Sequence, residues 1–262
     1  VVSYDMERFA KDYVTAFCEL SGYPLNKIGT APTPFLDEAD DPLLVLKELE
    51  VPTTGKGTQG PKGVAPPQPG AGSGKLSHIA CKVLMKIMYI ARFARADLFR
   101  AVGVLTAMIT KWDELCDQKL FRIIKYMNGT VQWRQIGFVG DPPEDLELGL
   151  FSDADFAGNK ATQKSTSGVF LAIYGPHSFF PLSAQSKKQT AVSHSTVEAE
   201  IVAADHAIRI SGLPALPLWE RLLARSLCLE VYQDNHATCR FTHTGRFPTF
   251  RHVGRVYLVS FS

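Results

Sequence analysis

The stretch FSDADFAGNKATQKSTSG, Phe151 to Gly168, places two aspartates two residues apart inside an apolar run, just before a polar connection. Side chains alternate along a strand, so Phe151, Asp153 and Asp155 share one face while Leu148, Leu150 and Ala154 share the other. Like charges on one face repel, and burying either is costly without a compensating partner. A divalent cation is one such partner. For Asp155 a second reading stays open: the strand ends near Asp153, and both acids sit in a solvated turn.

Outward from this stretch the texture is β and then α. LELGLFSDADFA and TSGVFLAIYG are strand-like runs, and HSFFPLSAQSKKQTAV follows as a third. HSTVEAEIVAADHAIRI is a strong helix, LCLEVYQD a short strand ending on an acid, and NHATCRFTHTG a short helix. The order β-β-β-α-β-α predicts a mixed α/β, α+β-like domain whose first three strands are antiparallel.

Two further acids join Asp153 as candidates. STVE matches a capping box, with Ser195 at N-cap and Glu198 at N3. Glu198, Asp205 and Arg209 fall along one polar helix face. Glu200 instead lies with Ala203, Ala204 and Ala207, small residues that let a helix approach a sheet closely, so a charge there needs a reason. Asp234 closes the last strand and precedes Asn235, which starts the next helix. Carboxylates at the end of the first strand, on the helix and at the end of the fourth strand suit Mg²⁺ or Mn²⁺, which favour carboxylate and water ligands.

Upstream, Tyr4 to Leu20 carries a helical pattern through Phe9, Tyr13, Ala16, Phe17 and Leu20. Pro52 to Gly74 is rich in Gly and Pro and predicts a linker. Its end, GSGKL, lacks the P-loop pattern: Leu76 stands where Ser or Thr belongs and Pro69 where the first Gly belongs. From Leu76 to Asn128 two or three amphipathic helices are expected. Leu84, Ile87, Met88 and Ala91 share one face, Leu98, Val102 and Leu105 another; Met85 and Met88 are assigned to core packing, and Asn128-Gly129 to a helix stop. Asp40-Asp41 lacks a hydrophobic strand context and reads as an acidic loop.

The net charge of +2 predicts no general affinity for nucleic acid, so any basic surface is local. Five scattered cysteines without a C-x-x-C pair suit reduced thiols in an intracellular compartment. No apolar run is long enough to span a membrane. His236, Cys239, His243 and His252 are irregularly spaced for zinc and are read as scattered core and surface residues. The chain opens without methionine and stops in a strand-like run, the expectation for a piece of a polyprotein.

FSDADFAGNKATQKSTSGVFLAI, SAQSKKQTAVSHSTVEAEIVAADHA and VYQDNHA together resemble the ribonuclease H domain of copia-type LTR retrotransposon Pol polyproteins. YIARFARADLFRAVGVL and LFRIIKYMNGT are similar to the helical segment joining reverse transcriptase to that domain, and TAPTPFL weakly resembles the end of the polymerase. The resemblance, from about Leu76 to the C-terminus, implies four regions. Residues 1–51 would end a polymerase-like region, 52–75 form a flexible linker, 76–140 a helical connection, and 141–262 a ribonuclease H-like domain that is incomplete at its C-terminal end. Asp153, Glu200 and Asp234 would be three members of a D-E-D-D metal set, holding two divalent ions about 4 Å apart and cutting the RNA strand of an RNA–DNA hybrid during reverse transcription.

Asp155 and Glu198 would support those ligands. Lys164, Ser165, Thr166, Ser167 and Asn235 are candidates for substrate contacts, with a plain β-turn equally open for the K-S-T-S run. Lys187 and Lys188 are either a local basic patch or a solvated pair. The implied partners are the hybrid and the rest of the Pol polyprotein, including its reverse transcriptase, in the cytoplasm or a virus-like particle. Two departures stand out. The fourth acid belongs to a late A-D segment that this chain does not contain, and the H-I-D pattern reads His252-Val253-Gly254 here. A catalytically impaired nucleic-acid-binding or scaffolding remnant is therefore the alternative expectation.

Overall fold

A computed structural model describes residues 1–36, 74–159 and 162–244. Most of the expected linker, the Asp40-Asp41 loop and His252 lie outside the described residues. In chain order the elements are β1 (Val2–Tyr4), α1 (Glu7–Ser21), α2 (Ser77–Phe93), α3 (Phe99–Thr106), α4 (Glu114–Gly129), β2 (Gln135–Gly137), β3 (Glu147–Asn159), β4 (Lys164–Gly175), β5 (Ser178–Lys188), α5 (Thr196–Ala207), α6 (Leu213–Leu223), β6 (Leu229–Tyr232) and α7 (His236–Thr244). The fold is mixed α/β. No helix among the described residues is long and apolar enough to cross a membrane.

The chain divides into two compact units. The first comprises Val1–Glu7, Ile90–Arg100 and the chain from Gln132 onward. Its main sheet runs β5-β4-β3-β6, antiparallel across the first three strands and parallel between β3 and β6. Alternation along β3 follows the sequence: Leu148, Leu150, Ser152 and Ala154 are buried, while Asp153 and Asp155 are exposed. Leu148, Leu150, Val169, Leu171 and Ile173 form the core with Ala207, and Leu216 and Trp219 pack on it. β3 does not end near Asp153. It continues to Asn159 through an irregularity after Asp155, with Ala157 in the left-handed region at φ 51°.

Between α5 and α6 the helix widens to a π turn at Ile208–Gly212. Pro214 and Pro217 just beyond it lack backbone N–H groups, so two carbonyls one turn earlier have no regular donor. Gly212 meets the sheet here. A Cβ would lie 2.5 Å from a Leu229 methyl and 3.0 Å from one of Leu150.

A second, two-stranded sheet pairs β1 with β2. Tyr4 thus ends a strand rather than starting the first helix, because pairing with Gln135, far away in sequence, decides its backbone.

The second unit comprises Arg8–Tyr89 and Ala101–Val131. Its core includes Phe17, Leu84, Ile87, Leu105, Leu120, Ile124 and Met127, the buried stripes of its helices. Met88 is half-buried, but Met85 is half exposed, correcting its assignment to the core. Asp113 caps α4 by accepting from the Cys116 N–H at 2.8 Å, and α4 ends at Gly129 as the Asn-Gly pair predicts. Asp117 accepts from the backbone N–H groups of Lys75 at 2.6 Å and Leu76 at 3.1 Å and from the Trp112 indole at 2.7 Å. The GSGKL amides that a P-loop would turn to phosphate are thus bonded to a carboxylate.

Candidate metal centre

Each of three elements brings one carboxylate to the same place. β3 carries Asp153 on its exposed face, α5 carries Glu200, and Asp234 stands two residues beyond β6, which lies parallel beside β3. Each offers one oxygen such that all three lie within 4.8 Å of one another. Asp153 and Asp234 are exposed, whereas Glu200 is only 4 % exposed.

Local sequence sets each position. Ser195 starts α5 by accepting from the Glu198 N–H at 3.2 Å, and the buried alanines Ala199 and Ala203 pack on Ala154 of β3. That close approach puts Glu200 against the strand. Asn235 starts α7, its Oδ1 accepting from the N–H groups of Ala237 at 3.0 Å and Thr238 at 3.1 Å, which fixes the backbone just after Asp234.

Burial pushes the Glu200 carboxyl up to about 7. A hydrogen bond from Gln233 opposes this, the charges of Asp153 and Asp234 add to it, and a bond from the Ala154 backbone N–H again opposes it. A buried acid facing two like charges fits a site for a hard divalent cation: the donors are all carboxylate oxygens, as Mg²⁺ or Mn²⁺ require. Among the described residues this is the one group of three or more potential ligands brought together.

Asp155 lies outside it. Its carboxylate pairs with Arg100 Nη2 at 2.5 Å, while Arg100 Nη1 donates to Thr166 Oγ1 at 2.5 Å. Gly158 makes room for this carboxylate, since a Cβ there would lie 1.9 Å from Asp155 Oδ2. Glu198 is not on a solvated face with Asp205 and Arg209. It is 1 % exposed and accepts from the His194 N–H at 2.8 Å, while Asp205 and Arg209 pair at 2.5 Å.

The K-S-T-S run is strand, not turn, and Ser165, Thr166 and Ser167 are buried. Ser165 Oγ accepts from the Ala157 N–H at 3.1 Å. Ser167 Oγ accepts from Gln189 Nε2, which also donates to the Ala199 carbonyl at 2.9 Å, tying β4 to α5. Lys164 Nζ donates to the Thr190 carbonyl at 2.5 Å. Of the lysine pair, Lys187 is exposed and Lys188 half-buried. His236, Cys239 and His243 belong to α7, and the Cys239 thiol donates to the Gln233 carbonyl at 3.5 Å.

Comparison with known proteins adds relatives. The chain is 36 % identical over 118 residues to the retrovirus-related Pol polyprotein from transposon RE1 of Arabidopsis thaliana, covering 45 % of this chain and 8 % of that protein. It is 32 % identical over 118 residues to that from transposon TNT 1-94 of Nicotiana tabacum, with the same coverages. A protein named secreted RxLR effector protein 161, from Plasmopara viticola, is 33 % identical over 121 residues, 46 % of this chain and 80 % of that protein. Over about 45 % of its length the chain is thus related to retrovirus-related Pol polyproteins of transposons. It matches only a small part of each Pol polyprotein. No family model matches it, and no solved structure does.

Two residues of this Pol-related chain escaped the sequence reading. Arg100 comes from a helix far from Asp155 in sequence, with no local pattern to link them. Gln233 stands beside Asp234 in VYQDN, and its Nε2 donates to Glu200 Oε2 at 3.1 Å. The one signal for it is an amide directly before a candidate ligand.

Proposed function

We propose that this chain carries the ribonuclease H-type activity of a retroelement Pol polyprotein, the divalent-metal-dependent hydrolysis of the RNA strand in RNA–DNA hybrids. The observation that carries the reading is the convergence of Asp153, Glu200 and Asp234 within 4.8 Å. The sheet order supports it, with three antiparallel strands and a fourth parallel to the first, which sets the end of β6 beside Phe151 in the middle of β3. So does the relation to transposon Pol polyproteins.

Asp153, Glu200 and Asp234 would hold Mg²⁺ or Mn²⁺, two ions by the family resemblance. Bound divalent ions activate water for attack and neutralise charge on the leaving oxygen. The protein's own share is positional. Asp153 and Asp234 present carboxylates at the surface, where a phosphodiester backbone can reach them, and Glu200 adds a third from the packed helix face. All three must be deprotonated to bind a cation, so Glu200, at about 7, is the group whose proton competes with metal near neutral pH. Asp155, paired with Arg100, stands beside the site without entering it.

The test is cleavage of a labelled RNA–DNA hybrid with Mg²⁺ or Mn²⁺ by this chain, by Asp153→Asn and by a version extended at the C-terminus. Cutting by the chain or its extension, abolished by the substitution, is the expected result. Hybrid binding without cutting in every version would move the assignment to the binding remnant.

A further inference from the structure

We infer that Gln233 is a positioning residue that sets the metal affinity of the carboxylate cluster. The inference rests on the metal-dependent reading above and adds a residue that neither the sequence pattern nor the family relation assigns.

The geometry around Glu200 is the argument. Its carboxylate is buried on a helix, yet its two donors come from within β3 and from the residue just beyond β6. The Ala154 N–H directly follows Asp153, and the Gln233 side chain directly precedes Asp234. Each donor therefore ties Glu200 to the residue next to one of the other two acids.

The direction of the Gln233 amide follows from its other end. Its Oε1 accepts from the backbone N–H groups of Asp234 at 2.9 Å and Asn235 at 3.4 Å. Backbone N–H groups only donate, so the oxygen must face them and the NH₂ group must face Glu200. A single side chain thus bridges the helix ligand and the backbone of the loop ligand. Asn235, capping α7 from the next position, holds that loop on its other side.

The bridge has a cost to offset. Three carboxylate oxygens within 4.8 Å repel one another without a cation. Glu200 would relieve this by rotating away, and the Asp234 loop by shifting outward. Hydrogen bonds from Gln233 to one and from the other to Gln233 oppose both movements, so the ligands stay gathered before a cation arrives. Partners of this kind, which orient a ligand without touching the metal, typically carry 10–100-fold in metal affinity.

The test is Mn²⁺ binding to the full chain at pH 8, followed by electron paramagnetic resonance and calorimetry, with thermal unfolding measured in EDTA alongside. In Gln233→Met, which keeps the length but neither donates nor accepts strongly, the dissociation constant is expected to rise about 10–100-fold. The metal-free Tm should move little. Gln233→Asn, polar but too short to span both partners, should weaken binding similarly and guards against a folding failure of the first variant. A lowered Tm with unchanged Mn²⁺ affinity would show a merely structural role and overturn the inference. Equal affinity in wild type and both variants would overturn it alone, whereas absence of Mn²⁺ binding by wild type would overturn the metal-centre reading and this inference with it.

Discussion

Asp153 and Asp155 stand two residues apart on the same face of β3, both exposed, yet their surroundings are opposite. Asp155 faces a guanidinium at 2.5 Å, so its charge is balanced within the protein. Asp153 faces two more carboxylates, one of them buried, and in the proposed reading a bound cation balances its charge. The same residue type at the same strand orientation joins an ion pair at one position and, in the proposed reading, a ligand site at the other. What differs is the element packed against each: Arg100 from the start of α3, Glu200 from the small-residue face of α5.

The largest test of this contrast is metal affinity. Asp153→Asn should weaken Mn²⁺ binding by at least about 100-fold, the upper range for residues that only support a ligand. Asp155→Asn should leave it within about twofold. Equal losses in both, measured by calorimetry, would erase the distinction between the two positions.

Next comes pH. Because the Glu200 carboxyl sits at about 7, Mn²⁺ affinity should rise about tenfold per pH unit from 5.5 towards 7 and level off above 8. A profile that is flat above pH 5.5 would place Glu200 in the ordinary carboxylate range.

Stability without metal should show the same group with the opposite sense. Between its ordinary value of 4.5 and about 7, the folded protein keeps a proton on Glu200 that the unfolded chain has released, so stability falls as pH rises through this window. Glu200→Gln is expected to stabilise the metal-free protein by about 1–2 kcal/mol at pH 8, with the gain vanishing near pH 4.5. Urea unfolding at the two pH values checks this, and a loss at pH 8 would mean that hydrogen bonding outweighs the cost of the buried charge.

The smallest effect belongs to the balanced pair. Arg100→Ala should cost no more than about 1 kcal/mol, because Asp155 is 45 % exposed and water screens the interaction. A much larger loss would mark the Arg100 bridge to Asp155 and Thr166 as a principal support of the strand end.

Much of this was legible in the sequence. Alternation along Leu148–Ala154, the cap at Ser195, the small face around Glu200 and the helix start at Asn235 are short-range patterns, and chain geometry alone places them. Other features were not. Glu198 reads as polar surface because its periodicity matches Asp205, yet it is buried where the chain before α5 folds back on it. The serines and threonine of the K-S-T-S run look free for substrate because polarity in a sequence does not reveal burial. Their partners are Ala157 across the strand turn, Arg100 and Gln189. Tyr4 joins a strand only through a partner more than a hundred residues away.

The sequence by itself determined which acids lie on which faces of which elements, since strand and helix periods are properties of neighbouring residues. Only the tertiary structure decided which acids meet a cation and which meet one another. That depends on β6 lying parallel beside β3, on α5 approaching the sheet through its alanines, and on single side chains, Arg100 and Gln233, reaching across. Electrostatic balance is set by distance in space, and distance in space is what a linear pattern of residues does not carry.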